Sequence, residues 1–192
     1  MRSDKNATDA ELIADLRGGN LSAFSIIVQR YEGAVAATVI GMLGPGDEAE
    51  EVGQETMIKL YRSLDRFKGE AELKTYLTRI AINSSLDALR RRKRNLLRFF
   101  SAESEGDSAW EDRIASPSNH TKDFENRQLV QSALAQLKPE FRAVAVLRLM
   151  QGYSVEETAD MLDIAPGTVL SRLSRARKQL MEILKPEAAH AG

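Results

Sequence analysis

The sequence contains no cysteine. That single absence removes disulfides, thiolate metal sites and cysteine nucleophiles. Histidine is nearly absent too: His120 and His190 are the two present, too little material for a histidine zinc site or a Ser-His-Asp arrangement. Long β-branched runs and sustained period-two alternation are missing, which argues against a sheet. The longest nearly uncharged apolar stretch, Gly33 to Gly44, is shorter than the ~20 residues that span a bilayer. The N-terminal Met-Arg-Ser-Asp-Lys-Asn lacks the apolar core of a signal peptide. A cytoplasmic protein with no direct membrane insertion is therefore expected. Net charge is also close to nil, with 27 Lys and Arg against 28 Asp and Glu in 192 residues. What is present, 43% hydrophobic and 29% charged residues, suits one ordinary globular domain or two small ones.

The near-zero charge conceals segregation. Residues 1–98 carry a net charge of +2, residues 99–125 of −5 and residues 126–192 of +2. The acidic middle runs Ser101-Ala-Glu-Ser-Glu-Gly-Asp-Ser-Ala-Trp-Glu-Asp and then Ser116-Pro-Ser-Asn. Its acid, Ser and Gly content without an apolar stripe reads as a linker. Phe99, Phe100, Trp110, Ile114 and Phe124 leave open an ordered segment that docks on something. The expected organisation is two helical domains, 1–98 and 126–192, joined by a linker over 99–125.

Both flanks read as all-α. Thr8-Asp-Ala-Glu11 is a capping box ahead of Leu12, Ile13 and Leu16, and Gly18-Gly19 stops that helix. A second helix runs from about Ser22 to Leu43 and ends at Gly44-Pro45-Gly46. Asp47-Glu-Ala-Glu50 has the form of another N-terminal cap, for a helix reaching about Leu64 with Met57, Leu60, Tyr61 and Leu64 as its buried stripe. After Phe67-Lys-Gly69, a helix spans about Glu72 to Arg94. The C-terminal lobe holds about four shorter helices.

The most specific local pattern lies between residues 154 and 185. Ser154-Val-Glu-Glu157 is a capping box for a short helix with Val155, Ala159 and Leu162 on one side. Asp163-Ile164-Ala165 makes a turn, with Ile164 its core residue, and Pro166 suits the first position of the next helix. There Val169, Leu173, Ala176, Leu180 and Ile183 recur at helical spacing, while Thr168, Ser171, Arg172, Arg175 and Lys178 lie opposite. This is the pattern of a helix-turn-helix whose second helix enters the major groove. A two-helix hairpin with a solvated basic face is the plainer alternative. Five cations against one acid between Arg172 and Lys185 favour DNA. Arg172 and Arg175 suit guanine edges or phosphates and Lys178 a phosphate, and spacing does not divide the two arginines between those roles.

The helix from Glu72 closes on Arg90-Arg-Arg-Lys-Arg94, with Arg98 beyond and Lys74, Tyr76, Arg79 and Asn83 in its earlier turns. A basic helix with an aromatic near its start suits a sugar–phosphate chain with unstacked bases on rings. A solubilising helix end is the alternative, but six cations within nine residues exceed what a helix dipole needs. The preceding helix carries the opposite sign: Asp47, Glu48, Glu51 and Glu55 recur at spacings of three and four with Gln54 beside them. That stripe is either solvated surface or a protein-docking face.

These residues resemble the bacterial extracytoplasmic-function (ECF) sigma factors. The resemblance lies in Asp47-Glu-Ala-Glu-Glu-Val-Gly-Gln-Glu55, Tyr61-Arg-Ser-Leu-Asp-Arg-Phe-Lys-Gly-Glu70, Thr75-Tyr-Leu-Thr-Arg-Ile-Ala-Ile-Asn83 and Leu86-Asp-Ala-Leu-Arg-Arg-Arg92. It continues in Leu137-Lys-Pro-Glu-Phe-Arg142, Gly152-Tyr-Ser-Val-Glu-Glu-Thr-Ala159 and Pro166-Gly-Thr-Val-Leu-Ser-Arg172. It covers roughly residues 9–95 and 126–185, in the family's order. It implies sigma domains two and four, and a dissociable specificity subunit of RNA polymerase that responds to a stress or envelope signal. It also implies that Glu51, Gln54 and Glu55, with Asp47 and Glu48, meet the clamp helices of the largest polymerase subunit, and that domain four meets the flap. The segment from Leu64 to Arg94 would hold the −10 element as an opened strand, with a base captured near Phe67 to Leu73. Phe67, Lys68, Lys74, Tyr76, Arg79, Asn83, Asp87, Arg90, Arg91 and Arg94 are the candidates there. Thr168, Ser171, Arg172, Arg175 and Lys178 are those for the −35 duplex. An anti-sigma protein is a further implied partner.

Five positions, Gly53 among them, depart from the family's usual pattern. Tyr76 stands where Trp is common, Leu73 where Phe is frequent, Leu170 where a basic residue is frequent and Ser174 where an aromatic or basic residue is. Gly53 sits inside the docking helix, at about 1 kcal/mol against Ala in propensity. No catalytic residue, metal, cofactor or small-molecule substrate is expected, so the chain is read as no enzyme. A helix-turn-helix regulator acting without polymerase and a purely protein-binding adaptor are the rival readings. The first needs no acidic docking helix, and the second predicts no salt-dependent DNA affinity.

Overall fold

The computed structural model describes residues 6–67, 69, 71–102 and 122–188. Lys68 and the central part of the acidic linker, 103–121, lie outside the described residues, as do His120 and His190. In chain order the helices are α1 (Asp9–Arg17), α2 (Leu21–Leu43), α3 (Asp47–Ser63), a 3-10 turn (Leu64–Arg66) and α4 (Leu73–Ala102). They continue with α5 (Lys122–Gln136), α6 (Pro139–Ala145), a π turn (Val146–Met150), α7 (Val155–Leu162) and α8 (Pro166–Ala188). Among the described residues there is no strand.

Local chemistry sets most boundaries. The Thr8 side chain accepts from the Glu11 amide and the Glu11 carboxylate accepts from the Thr8 amide, completing the capping box of α1. Ser154 and Glu157 do the same for α7. At α3 the expectation needs correcting. Gly46, with φ +138°, is the N-cap and no side chain caps the helix, while Asp47 is already inside the first turn. Asp47, Glu48 and Glu50 complement the helix dipole there instead. Helix α4 runs past Arg94 to Ala102, and α5 starts at Lys122, so both helices reach into the segment read as linker.

In the N-terminal lobe, α2 packs against α1, α3 and α4 around Leu12, Ile27, Val39, Val52, Leu60, Leu64, Leu73 and Leu77. By length and composition α2 is apolar enough to cross a bilayer, with a mean hydropathy of 1.3. Its buried residues Ala23, Ile27, Val35, Thr38, Val39, Gly41 and Met42 make it the central packing element of this lobe. The buried positions of α3 are Ala49, Val52, Thr56 and Leu60. Tyr61, expected in that stripe, is exposed and meets Phe24 edge to face at 5.0 Å.

The two lobes touch. Met42 and Ile82 of the first share a core with Ala143, Val146, Leu147, Tyr153 and Met161 of the second. Gly41 permits the close approach of α2, since a Cβ there would lie 3.0 Å from a Val146 methyl. Arg142, buried in α6, donates from Nη1 to the Met42 carbonyl at 2.6 Å and from Nη2 to the Leu137 and Ala135 carbonyls. The Tyr153 and Thr78 hydroxyls lie 2.9 Å apart. Thr78 also donates to the Lys74 carbonyl at 2.9 Å, so Tyr153 is the donor of the pair. The π turn and Gly152 at φ +77° bring Tyr153 round to this position, with the Tyr153 amide donating to the Leu147 carbonyl.

Candidate nucleic-acid interface

Helix α4 is 30 residues long, and its inward face is fixed by burial of Leu77, Thr78, Ala81, Ile82, Ser84, Ser85 and Ala88. The opposite face carries Tyr76, Arg79, Asn83, Asp87, Arg90 and Arg94, which follow one another at spacings of three and four. All are exposed except Tyr76, which is half-buried. Lys74, two residues before Tyr76, is exposed as well. Arg90 pairs with Asp87 at 2.9 Å, so one member of the row is partly neutralised. Arg91 leaves the row and lies 4.0 Å from the Glu55 carboxylate on α3. The structure thus joins a candidate DNA contact to a candidate polymerase contact.

At the start of the row, Phe67 and Tyr76 sit ring to ring with centroids 5.0 Å apart and planes at 50°. Both are half-buried, so each keeps surface on which a base can stack. Arg79 lines a cleft of about 510 Å³ whose other wall is Ala159, Asp160, Asp163, Ile164 and Ala165. The turn of the helix-turn-helix therefore faces the α4 row.

The second basic surface is α8. Asp163 closes α7 in the left-handed conformation (φ 53°, ψ 51°), and Pro166 opens α8. Val169, Leu173 and Ala176 are buried, and Ile164 packs with Val144, Ala159 and Val169. Leu180 and Ile183 are half-buried. Outward stand Ser171, Arg175 and Lys178, with Thr168 and Arg172 half-buried. Among the described residues none of Arg172, Arg175 and Lys178 is ion-paired, which leaves three cations free for phosphates or base edges. Leu170 is 55% exposed beside them.

On α3, Asp47, Glu48, Glu51 and Gln54 are exposed. Glu55 differs: it pairs with Lys59 at 2.9 Å and faces Arg91. A groove of about 410 Å³ runs beside this ridge between α2 and α3. Val35, Ala36, Ile40, Ala49 and Met57 line it with Gly53, and Glu32, Glu50 and Gln54 border it. Among the described residues no cluster of three or more His, Asp or Glu is placed to hold a metal.

Sequence reasoning missed the groove and the seam between the lobes. Arg142 carried a signal, because it is the one charge in the apolar run Phe141–Leu147. Thr78 and Tyr153 carried none, since the pairing spans 75 positions.

A helical pair of lobes, one with a capped helix-turn-helix and one with a basic row on a long helix, defines a DNA-binding protein of the sigma type. Residues 27–95 match the Sigma-70 region 2 model and residues 127–180 the Sigma-70 region 4 model. The ECF RNA polymerase sigma-E factor of Escherichia coli is 34% identical over 183 residues, covering 93% of this chain and 95% of that protein. RNA polymerase sigma-H factor of Pseudomonas aeruginosa is 33% identical over 187 residues, covering 93% and 94%. Among solved structures, the sigma factor RpoE in complex with the anti-sigma factor NepR from Bartonella quintana matches with a TM-score of 0.66 and 28% identity, covering 84% of this chain and 96% of that one. CnrH in complex with the cytosolic domain of CnrY matches at 0.65 and 26%, covering 95% and 99%. The chain belongs to the ECF family of RNA polymerase sigma factors.

Proposed function

We propose that this chain directs core RNA polymerase to promoters through three surfaces. The ridge of Asp47, Glu48, Glu51, Gln54 and Glu55 on α3, with the groove beside it, receives the clamp helices of the largest subunit. The row on α4, with Phe67 and Lys68 before it, holds the opened −10 strand. Thr168, Ser171, Arg172, Arg175 and Lys178 read the −35 duplex, and the second lobe meets the flap. In this reading residues 1–98 and 126–192 are the two working domains and 99–125 the linker. Family membership and the exposed row from Arg79 to Arg94, with the half-buried Tyr76 at its head, are what support it most.

Two weak grips on one DNA reinforce each other through the polymerase that carries both, by effective concentration. The elements, named about 25 base pairs apart, are ~85 Å from each other at ~3.4 Å per base pair. Holding both at once requires the Met42–Val146 seam to part. The chain acts on DNA in a cytoplasmic setting and makes or breaks no covalent bond. An anti-sigma partner is part of the proposal, because RpoE is solved with the anti-sigma factor NepR and CnrH with the cytosolic domain of CnrY.

The test is transcription in vitro with core polymerase on fragmented genomic DNA, comparing the native chain with Glu51→Lys. Glu51 is exposed and, unlike Glu55, not ion-paired among the described residues. Discrete start sites are expected from the native chain, and loss of polymerase co-purification from the variant. Start sites that appear only with another sigma factor present defeat the reading.

A further inference from the structure

Arg17 is the last residue of α1, immediately before Gly18-Gly19. In the structure its guanidinium crosses to the end of the α3–3-10 run. Nη2 donates to the Leu64 carbonyl at 2.8 Å and to the Phe67 carbonyl at 2.6 Å, and passes the Asp65 carbonyl at 3.5 Å. These carbonyls belong to a helix end, where the dipole favours a cation; the Leu64 carbonyl also accepts from the Phe67 amide at 3.2 Å, so Arg17 adds a second donor to the bond that closes the turn. Nη2 has two hydrogens, which match the two short contacts.

Phe67 is where the chain leaves the helical run: its φ of −69° and ψ of 115° are extended. Its ring meets Tyr76 at 5.0 Å. One guanidinium therefore fixes both the direction of exit and the carbonyl of the residue whose ring begins the α4 row. We propose that Arg17 is a positioning residue for capture of the opened −10 strand. It anchors the Leu64–Phe67 corner so that the Phe67–Tyr76 ring pair is set before a base arrives. It touches no nucleotide itself. Pre-setting the pair removes an ordering cost from strand binding, so the effect falls on single-stranded −10 DNA and not on the −35 duplex. This inference rests on the −10 assignment of α4 made above.

The experiment uses the full chain assembled with core polymerase and a single-stranded −10 oligonucleotide carrying 2-aminopurine at successive positions. Arg17→Ala is expected to weaken strand affinity about tenfold and to reduce the 2-aminopurine response. Affinity for a −35 duplex and for core polymerase should stay unchanged. Arg17→Lys keeps the charge but loses the planar fork, and should recover part of the loss; it also serves if Arg17→Ala folds poorly. A native response that both variants keep in full overturns the proposal alone. Equal weakening of −10 and −35 binding by both variants also overturns it, showing a cap that serves only the fold. If the native chain gives no 2-aminopurine response at any position, the −10 assignment falls and this proposal falls with it.

Discussion

Asp9 ties α1 to α2 through two different groups. One carboxylate oxygen takes Arg30 at 2.6 Å, and the other takes the Tyr31 hydroxyl. Burial, and then the Asp9 hydrogen bond, push the Tyr31 phenol from its ordinary 10 up to about 12. The neutral phenol is thus the form the fold prefers. Its contribution is complete below pH 10 and is lost as the pH climbs towards 12, where a tyrosinate would face the Asp9 carboxylate. Tyr31→Phe should cost about 1 kcal/mol at neutral pH and remove that alkaline loss. Urea midpoints measured from pH 8 to 12 check this: the native curve should fall towards the variant's above pH 10, and parallel curves contradict it. Arg142 shows a second way of keeping a polar group inside. Burial, with Arg92 adding to it, lowers its proton affinity, yet a guanidinium stays charged at working pH. Backbone carbonyls, not a carboxylate, receive it.

Among the elements, α3 is where local stability and docking pull in opposite directions. Gly53 lies in its interior, lines the groove, and a Cβ added there would meet nothing within 4 Å. Ala at that position should stabilise the helix by about 0.5–1 kcal/mol, through propensity and a less free unfolded chain. The added methyl also fills part of the groove. Gly53→Ala is therefore expected to raise the melting temperature while weakening association with core polymerase. Calorimetry and a polymerase pull-down check the two halves, and tighter polymerase binding would contradict the groove's role. Elements like α1, α7 and α8 were legible because their signals are local: Thr8 with Glu11, Ser154 with Glu157, Pro166 after the Asp163 turn. The cap of α3 was misread since Asp47 looks the same in sequence whether it caps a helix or sits in its first turn. Only the φ of Gly46 separates the two.

At the scale of the whole molecule, periodicity located both lobes and both basic faces, because each depends on spacing within one helix. The seam did not show, since an apolar residue facing another lobe looks like one facing its own core. Nothing in the sequence around Met42, Ile82 or Gly41 distinguishes them from residues that serve their own lobe. What joins the lobes can still be separated experimentally, because the Thr78–Tyr153 pair is asymmetric. Thr78→Val leaves the buried Tyr153 hydroxyl with a proton and no acceptor, a desolvation cost of about 1–3 kcal/mol. Tyr153→Phe leaves Thr78 still donating to the Lys74 carbonyl and removes only a bond it accepted, about 0.5–1.5 kcal/mol. The first change should therefore be the more damaging, and the double variant should cost less than the two single losses added together. Chemical denaturation of the four chains checks this. Strict additivity would mean that the two hydroxyls do not couple and that the lobes are held by the apolar contact at Met42, Ile82, Val146 and Leu147 together with the Arg142 bond to the Met42 carbonyl.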